Sequence, residues 1–152
     1  ENQVGNFDTI SLGQTHTCAK DGAGFVTCWG DDSFGQSTPP TDPFYQIDSG
    51  NFFTCGLDVN FEVQCWGKSI TDEALPSGPF VQISAGSEHA CALDRNGRMA
   101  CWGDNTNNQA NPMNAQFSEI SAGGDFTCGV TLDGELMCRG SNSYGQLKDE
   151  AW

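Results

Sequence analysis

The 152-residue sequence predicts an all-β protein of four like units stacked side by side. Three observations predict it. One unit recurs four times at intervals of 36 or 37 residues, its apolar pattern alternates with period two, and each copy carries two cysteines ten positions apart around a turn.

The repeat is set by landmarks in one phase. Ile10, Ile47, Ile83 and Ile120 are spaced 37, 36 and 37 apart, and Cys18, Cys55, Cys91 and Cys128 keep those spacings, as do Phe7, Phe44, Phe80 and Phe117. Gly13, Gly50, Gly86 and Gly123 each follow their isoleucine by three. The units run approximately 7–43, 44–79, 80–116 and 117–152 within a single domain, 1–152, and turn-forming stretches "TPPTDP", "LPSGP" and "NPMNA" mark the junctions.

Within each unit, "THTCA", "FFTCG", "EHACA" and "DFTCG" read as one strand, and "FVTCW", "EVQCW", "RMACW" and "ELMCR" as the next. The joining segments "KDGAG", "LDVNF", "LDRNG" and "VTLDG" hold the Asp, Asn and Gly of tight hairpins. No segment has helical periodicity. Alternation places His16, Cys18, Phe53, Cys55, His89, Cys91, Phe126 and Cys128 on one side of their strands. Ala19, Gly56, Ala92 and Gly129 fall on the other, leaving room that Trp29, Trp66 and Trp102 are placed to fill. Both faces of each hairpin therefore carry packing residues, and such a unit must be sandwiched between neighbours.

In one hairpin, each cysteine pair falls at opposed positions, close enough for a bridge. The expected framework is Cys18–Cys28, Cys55–Cys65, Cys91–Cys101 and Cys128–Cys138. A zinc knuckle has a different spacing and no unit has a local histidine pair; a redox pair would need Cys-x-x-Cys. Four staples imply an oxidising compartment, outside the cell or in a periplasm.

The composition excludes several partners. Twenty acids against six bases give a formal charge of −14, which argues against nucleic acid and anionic membranes. No run approaches the ~18 apolar residues that span a bilayer. No apolar leader precedes Glu1, so a secreted chain whose signal peptide has been removed is expected.

The whole unit, clearest in "FVQISAGSEHACALDRNGRMACWGDNTNNQ" from Phe80 to Gln109, resembles the regulator of chromosome condensation repeat. The matching residues are Ile83, Ser84, Gly86, His89, Ala92, Leu93, Trp102, Gly103, Asn105 and Gln109, with Asn142, Gly145, Gln146 and Leu147 in the fourth unit. The resemblance implies β-propeller blades of four short strands. Its functional implications are broad, since such proteins include nucleotide-exchange factors for small GTPases, chromatin binders, a β-lactamase inhibitor and many secreted repeat proteins. Propellers of this family usually have seven blades. Four units suit an arc completed by other copies better than a tight four-bladed ring, and Trp152 falls in phase where a fifth unit would open.

Individual residues are read against that frame of packing. His16 and His89 share their phase with Phe53 and Phe126, which makes them packing histidines. Phe34 and Tyr144 share another phase, with blade packing and a recognition patch as the two readings. Arg139 replaces the tryptophan in the last unit, and "KSITDEALPSG" in the second lacks the Gly-Gln ending. Phe7, Arg139, Tyr144 and Trp152 are the candidate assembly contacts. Asp31, Asp32, Asp104 and Asn105 read as solvated loop residues, with oxygen coordination of Ca²⁺ as a weaker reading and no other cofactor expected. No catalytic constellation is present. The expectation is a non-enzymatic extracellular protein that assembles with itself into a homo-oligomer or fibre; the alternative is a monomeric binding module such as an inhibitor or adhesion domain.

Overall fold

A computed structural model of the chain describes residues 5–70 and 74–147. It is all-β, with twelve strands among the described residues in four three-stranded antiparallel sheets, each formed by three consecutive strands. The first blade is β1 (Phe7–Leu12), β2 (His16–Asp21) and β3 (Val26–Gly30); the second is β4 (Phe44–Ser49), β5 (Phe53–Asp58) and β6 (Val63–Gly67). The third is β7 (Phe80–Ala85), β8 (His89–Asp94) and β9 (Met99–Gly103), and the fourth β10 (Phe117–Ala122), β11 (Phe126–Thr131) and β12 (Leu136–Gly140).

The central and third strand of each blade are the hairpin expected from the alternation, and the cysteines sit directly opposite in its ladder. Sulfur bridges join Cys18–Cys28, Cys55–Cys65, Cys91–Cys101 and Cys128–Cys138. The opposed Cα atoms are 4.0–4.1 Å apart, so the bridge fits a pair the backbone has already brought together.

Two expectations are corrected. Blades have three strands, not the four implied by the resemblance. The segment from 31 to 43 carries Pro39, Pro40 and Pro43, which lack an N–H for a ladder, and its polar side chains bind loop backbone instead. Second, the room over the small residue of the central strand is filled by the phenylalanine of the first strand rather than by tryptophan. A Cβ on Gly56 would meet the Phe44 ring, and one on Gly129 the Phe117 ring. Trp66 packs beside that phenylalanine instead, its ring centroid 5.4 Å from that of Phe44.

The first strand of each blade escapes an alternation search because its register shifts between Phe7 and Thr9, Phe44 and Gln46, Phe80 and Gln82, and Phe117 and Glu119. The bulge puts a phenylalanine and an isoleucine three positions apart on one face, where both join the core.

That core is a series of layers between blades. Between the second and third, Phe53, Cys55, Leu57 and Val63 meet Phe80, Ile83, Ala90, Ala92 and Trp102. Between the third and fourth, Cys91 and Leu93 meet Phe117 and Ile120; between the first and second, Cys18 meets Phe44, Ile47 and Trp66. The forward face of each blade thus contributes its disulfide and aliphatics, and the backward face of the next its Phe, Ile and Trp.

Candidate functional site: the two open blade faces

The three internal interfaces share a set of polar contacts. At the glycine loops, Gln14 N–H donates to Asn51 O, Asn51 N–H to Ser87 O, and Ser87 N–H to Gly124 O, at 2.9–3.1 Å. A Cβ on Gly13, Gly50 or Gly86 would collide with the carbonyl of Gly50, Gly86 or Gly123 in the following blade, so only glycine permits this approach. At the rim, Phe44, Phe80 and Phe117 donate their N–H to the carbonyls of Gly24, Phe61 and Gly97 in the preceding hairpin turns, at 2.8–2.9 Å. In the middle, Ser49, Ala85 and Ala122 donate N–H to Ser11 Oγ, Asp48 Oδ2 and Ser84 Oγ.

Strand packing joins the first blade to the second, the second to the third and the third to the fourth; among the described residues none comparable joins the fourth to the first. Among the described residues two faces therefore stay open. On the fourth blade, Phe126 and the disulfide Cys128–Cys138 are only partly buried and Leu136 is 50% exposed, where the matching Cys18, Cys55 and Cys91 are fully buried. On the first blade, Ile10 is 63% exposed while Ile47, Ile83 and Ile120 are buried, and Trp29 is less buried than Trp66 and Trp102.

The candidate assembly residues separate on this frame. Phe7 begins the strand whose backward face is open. Tyr144 is 95% exposed; its counterpart Phe34, itself half exposed, packs at a tilt against Phe52 of the next blade at 5.8 Å, and Tyr144 has no such neighbour among the described residues. Arg139 lies opposite Thr127 in the ladder, on the face turned to the third blade, away from the open one. Trp152 lies outside the described residues.

The histidines form cross-blade bonds. His16 Nε2 is 2.8 Å from Thr54 Oγ1 and His89 Nε2 is 2.7 Å from Thr127 Oγ1, each pair buried. Nδ1 of both rings has no partner among the described residues, so the neutral ring with its proton on Nε2 fits best, leaving a bare lone pair rather than an orphaned N–H. Burial pushes both below the ordinary histidine value, with Asp31 pulling His16, and Asp125 and Asp104 pulling His89, the other way.

The acidic loop residues organise turns. Asp31 Oδ2 accepts from Ser33 Oγ and from Gln36 Nε2, whose own Oε1 takes the Phe34 N–H. Asp104, Thr106, Gln109 and Asn107 repeat this arrangement, and Gln36 and Gln109 are buried. Asp32 Oδ1 accepts Ser37 N–H and Asn105 Oδ1 accepts Ala110 N–H. The Ser33 bond leads the effects that hold Asp31 below the usual carboxylate range. For Asp104, burial pushes up, and the bonds from Thr106 and Gln109 outweigh it. These oxygens accept bonds from chain donors, and no group of three or more His, Cys, Asp or Glu lies together among the described residues. These side chains hold their loops in shape through local bonds to the chain.

A cleft of about 590 Å³ between the second and third blades is lined by Lys68, Glu88, Trp102 and Asp104, with Lys68 paired to Glu88 at 2.7 Å.

The third and fourth units, residues 80–109 and 117–146, match the family model described as the Regulator of chromosome condensation (RCC1) repeat. These are RCC1-type propeller repeats. Among solved structures, the CRINKLY WD40 ectodomain of the Arabidopsis thaliana receptor kinase ACR4 is 29% identical, with a TM-score of 0.75 over 88% of this chain and 49% of that one. The ectodomain of the Physcomitrella patens receptor kinase CR4 is 35% identical, with a TM-score of 0.73 over 88% of this chain and 40% of that one. Prp20p from Saccharomyces cerevisiae, a structure described together with its binding to Gsp1p and histones, shares the fold at 20% identity and a TM-score of 0.80 over 91% of this chain and 45% of that one. The four-blade chain thus spans half or less of each of these chains. No curated protein sequence matches it.

Proposed function

We propose that the protein is a non-enzymatic, extracellular structural protein built of RCC1-type blades, which assembles with copies of itself into a homo-oligomeric ring or fibre. The observation that carries this reading is the pair of open faces: each displays one half of an apolar layer that is complete at three internal interfaces. Apolar faces and strand edges of this kind drive association. Four disulfides and the likeness to two receptor ectodomains support an oxidising, extracellular setting. Multi-angle light scattering across a wide concentration range tests it: mass rising in whole-copy steps is the expected result, and a constant monomer mass would remove the assembly.

A monomeric protein-binding module is the second reading. It is favoured by an exposed cluster on the rim of the second and third blades, where Tyr45 lies 5.4 Å from Phe61 and the Arg95 guanidinium sits 5.3 Å above the Phe61 ring. Phe61 takes a positive φ of 64° where the other blades have glycine, a conformation in which a bulky side chain is strained. Recovery of one stoichiometric foreign protein, lost on Phe61→Gly and without self-association, would favour this reading.

A further inference from the structure

The geometry points to a head-to-tail contact in which the fourth blade of one copy meets the first blade of a second copy in the register of the internal interfaces; this rests on the self-assembly reading. The three contacts common to all the internal interfaces each break off at one open face and have their missing half at the other. Gly124 N–H, the next donor in the series Gln14, Asn51, Ser87, has no partner among the described residues, and neither does the carbonyl of Gln14, the acceptor that would precede Asn51. The Gly134 carbonyl stands where Gly24, Phe61 and Gly97 accept, and Phe7 N–H where Phe44, Phe80 and Phe117 donate. Ser121 Oγ is equivalent to Ser11 and Ser84 Oγ, and Leu12 N–H to the Ser49, Ala85 and Ala122 donors. The apolar halves agree as well. Phe126, Cys128–Cys138, Val130 and Leu136 are forward-face residues, and Phe7, Ile10 and Trp29 are backward-face residues.

The occupant argued from this continuity is a second copy, which supplies the partners of these three contacts and the matching apolar half-layer at their required places. The contact is heterologous, so it closes into a ring or continues as a filament according to the rotation per copy.

Two positions depart from the interface between the third and fourth blades, which has both a glutamine clasp and a His–Thr bond, and they make the contact weaker than that interface. Gln46 and Gln82 each clasp the backbone of the next blade's isoleucine: the amide nitrogen donates to Ile83 O or Ile120 O, and the amide oxygen accepts from the same residue's N–H. Glu119 occupies this place on the open face, and its carboxylate can accept the Ile10 N–H but has no donor for the Ile10 carbonyl. Across blades, His16 faces Thr54 and His89 faces Thr127, while Phe53 lies at the place that faces Ala90. On the open face Phe126 would meet Thr17, leaving that hydroxyl against an apolar ring.

Sedimentation velocity over a concentration series tests the register. Glu119→Gln with Phe126→His restores both clasps and should lower the concentration of half-association tenfold or more, taking one net hydrogen bond as about a factor of five to ten. Thr17→Arg and, separately, Ile10→Glu should abolish association while the unfolding midpoint stays put, since both side chains are exposed enough in the single chain to be replaced. If the wild type associates but none of these variants changes it, the register falls and self-assembly stands. If neither the wild type nor the Glu119→Gln, Phe126→His variant associates, both fall.

Discussion

His16 and Thr54 meet at 2.8 Å across the boundary between the first two blades, and His89 and Thr127 repeat the contact at 2.7 Å between the last two. Thr54 Oγ1 also lies 2.9 Å from Ser49 Oγ and 3.6 Å from Cys18 Sγ, so one buried hydroxyl ties a histidine, a serine and a disulfide together. The middle boundary has Phe53 and Ala90 in the same places and needs no such bond.

Truncating the hydroxyl tests that dependence. Thr54→Ala leaves His16 Nε2 buried and unpaired and should destabilise by about 1–3 kcal/mol, whereas His16→Phe with Thr54→Ala reproduces the middle boundary and should recover most of the loss. A double-mutant cycle in urea measures the coupling.

The histidines also set an acid limit. Burial holds both folded-state values below the unfolded 6.5, so as pH falls the folded chain takes up fewer protons than the unfolded one. Their contribution is fully present above about pH 6.5 and is lost as pH drops through the folded values. The urea midpoint should decline below pH 6.5, and replacing both His–Thr pairs by Phe–Ala should flatten that part of the profile. A decline unchanged by the replacement would assign it to carboxylates instead.

The disulfides differ in what their loss exposes. Cys55→Ala with Cys65→Ala removes a closed loop and opens a cavity in a fully buried layer, and should cost roughly 3 kcal/mol or more. The same change at Cys128 and Cys138, on the open face, should cost less, because the site is already partly solvated. Paired denaturation curves would show the difference.

Gln36 and Gln109 are expected to behave as structural residues. Gln109→Ala strips Asp104 of the bond from Nε2 at 2.7 Å and leaves the Asn107 N–H without its acceptor, which should lower stability by about 1–3 kcal/mol. Addition of calcium should leave the melting temperature of the wild type unchanged, as should a chelator. A calcium-dependent rise would mean that the Asp31 and Asp104 loops reorganise around the ion.

How legible the protein was in its sequence depends on the range of the interaction. The hairpins were readable because alternation is local and the cysteine spacing matches a tight turn. The outer β1, β4, β7 and β10 strands were not, because a bulge breaks their period two between Phe44 and Gln46 and at its three equivalents. Asp31 and Asp104 read as solvated loop residues because sequence shows an acidic side chain and not the Ser, Thr and Gln donors that fold back onto it. The His–Thr and Phe–Ala alternation was present in the text at positions 16, 53, 89 and 54, 90, 127. It could not be seen as pairing until the stacking order put residues 38 apart in contact.

The sequence by itself determined the repeat, the all-β class, the four sulfur bridges and the demand that both faces of every hairpin be covered, because periodicity and covalent reach act over a dozen residues. Only the tertiary structure decided which face looks forward and which backward, that phenylalanine rather than tryptophan fills the space over Gly56, and that Ile10 and Phe126 stand uncovered. Those outcomes depend on how one rigid, twisted sheet lies on the next, which no single unit's pattern contains.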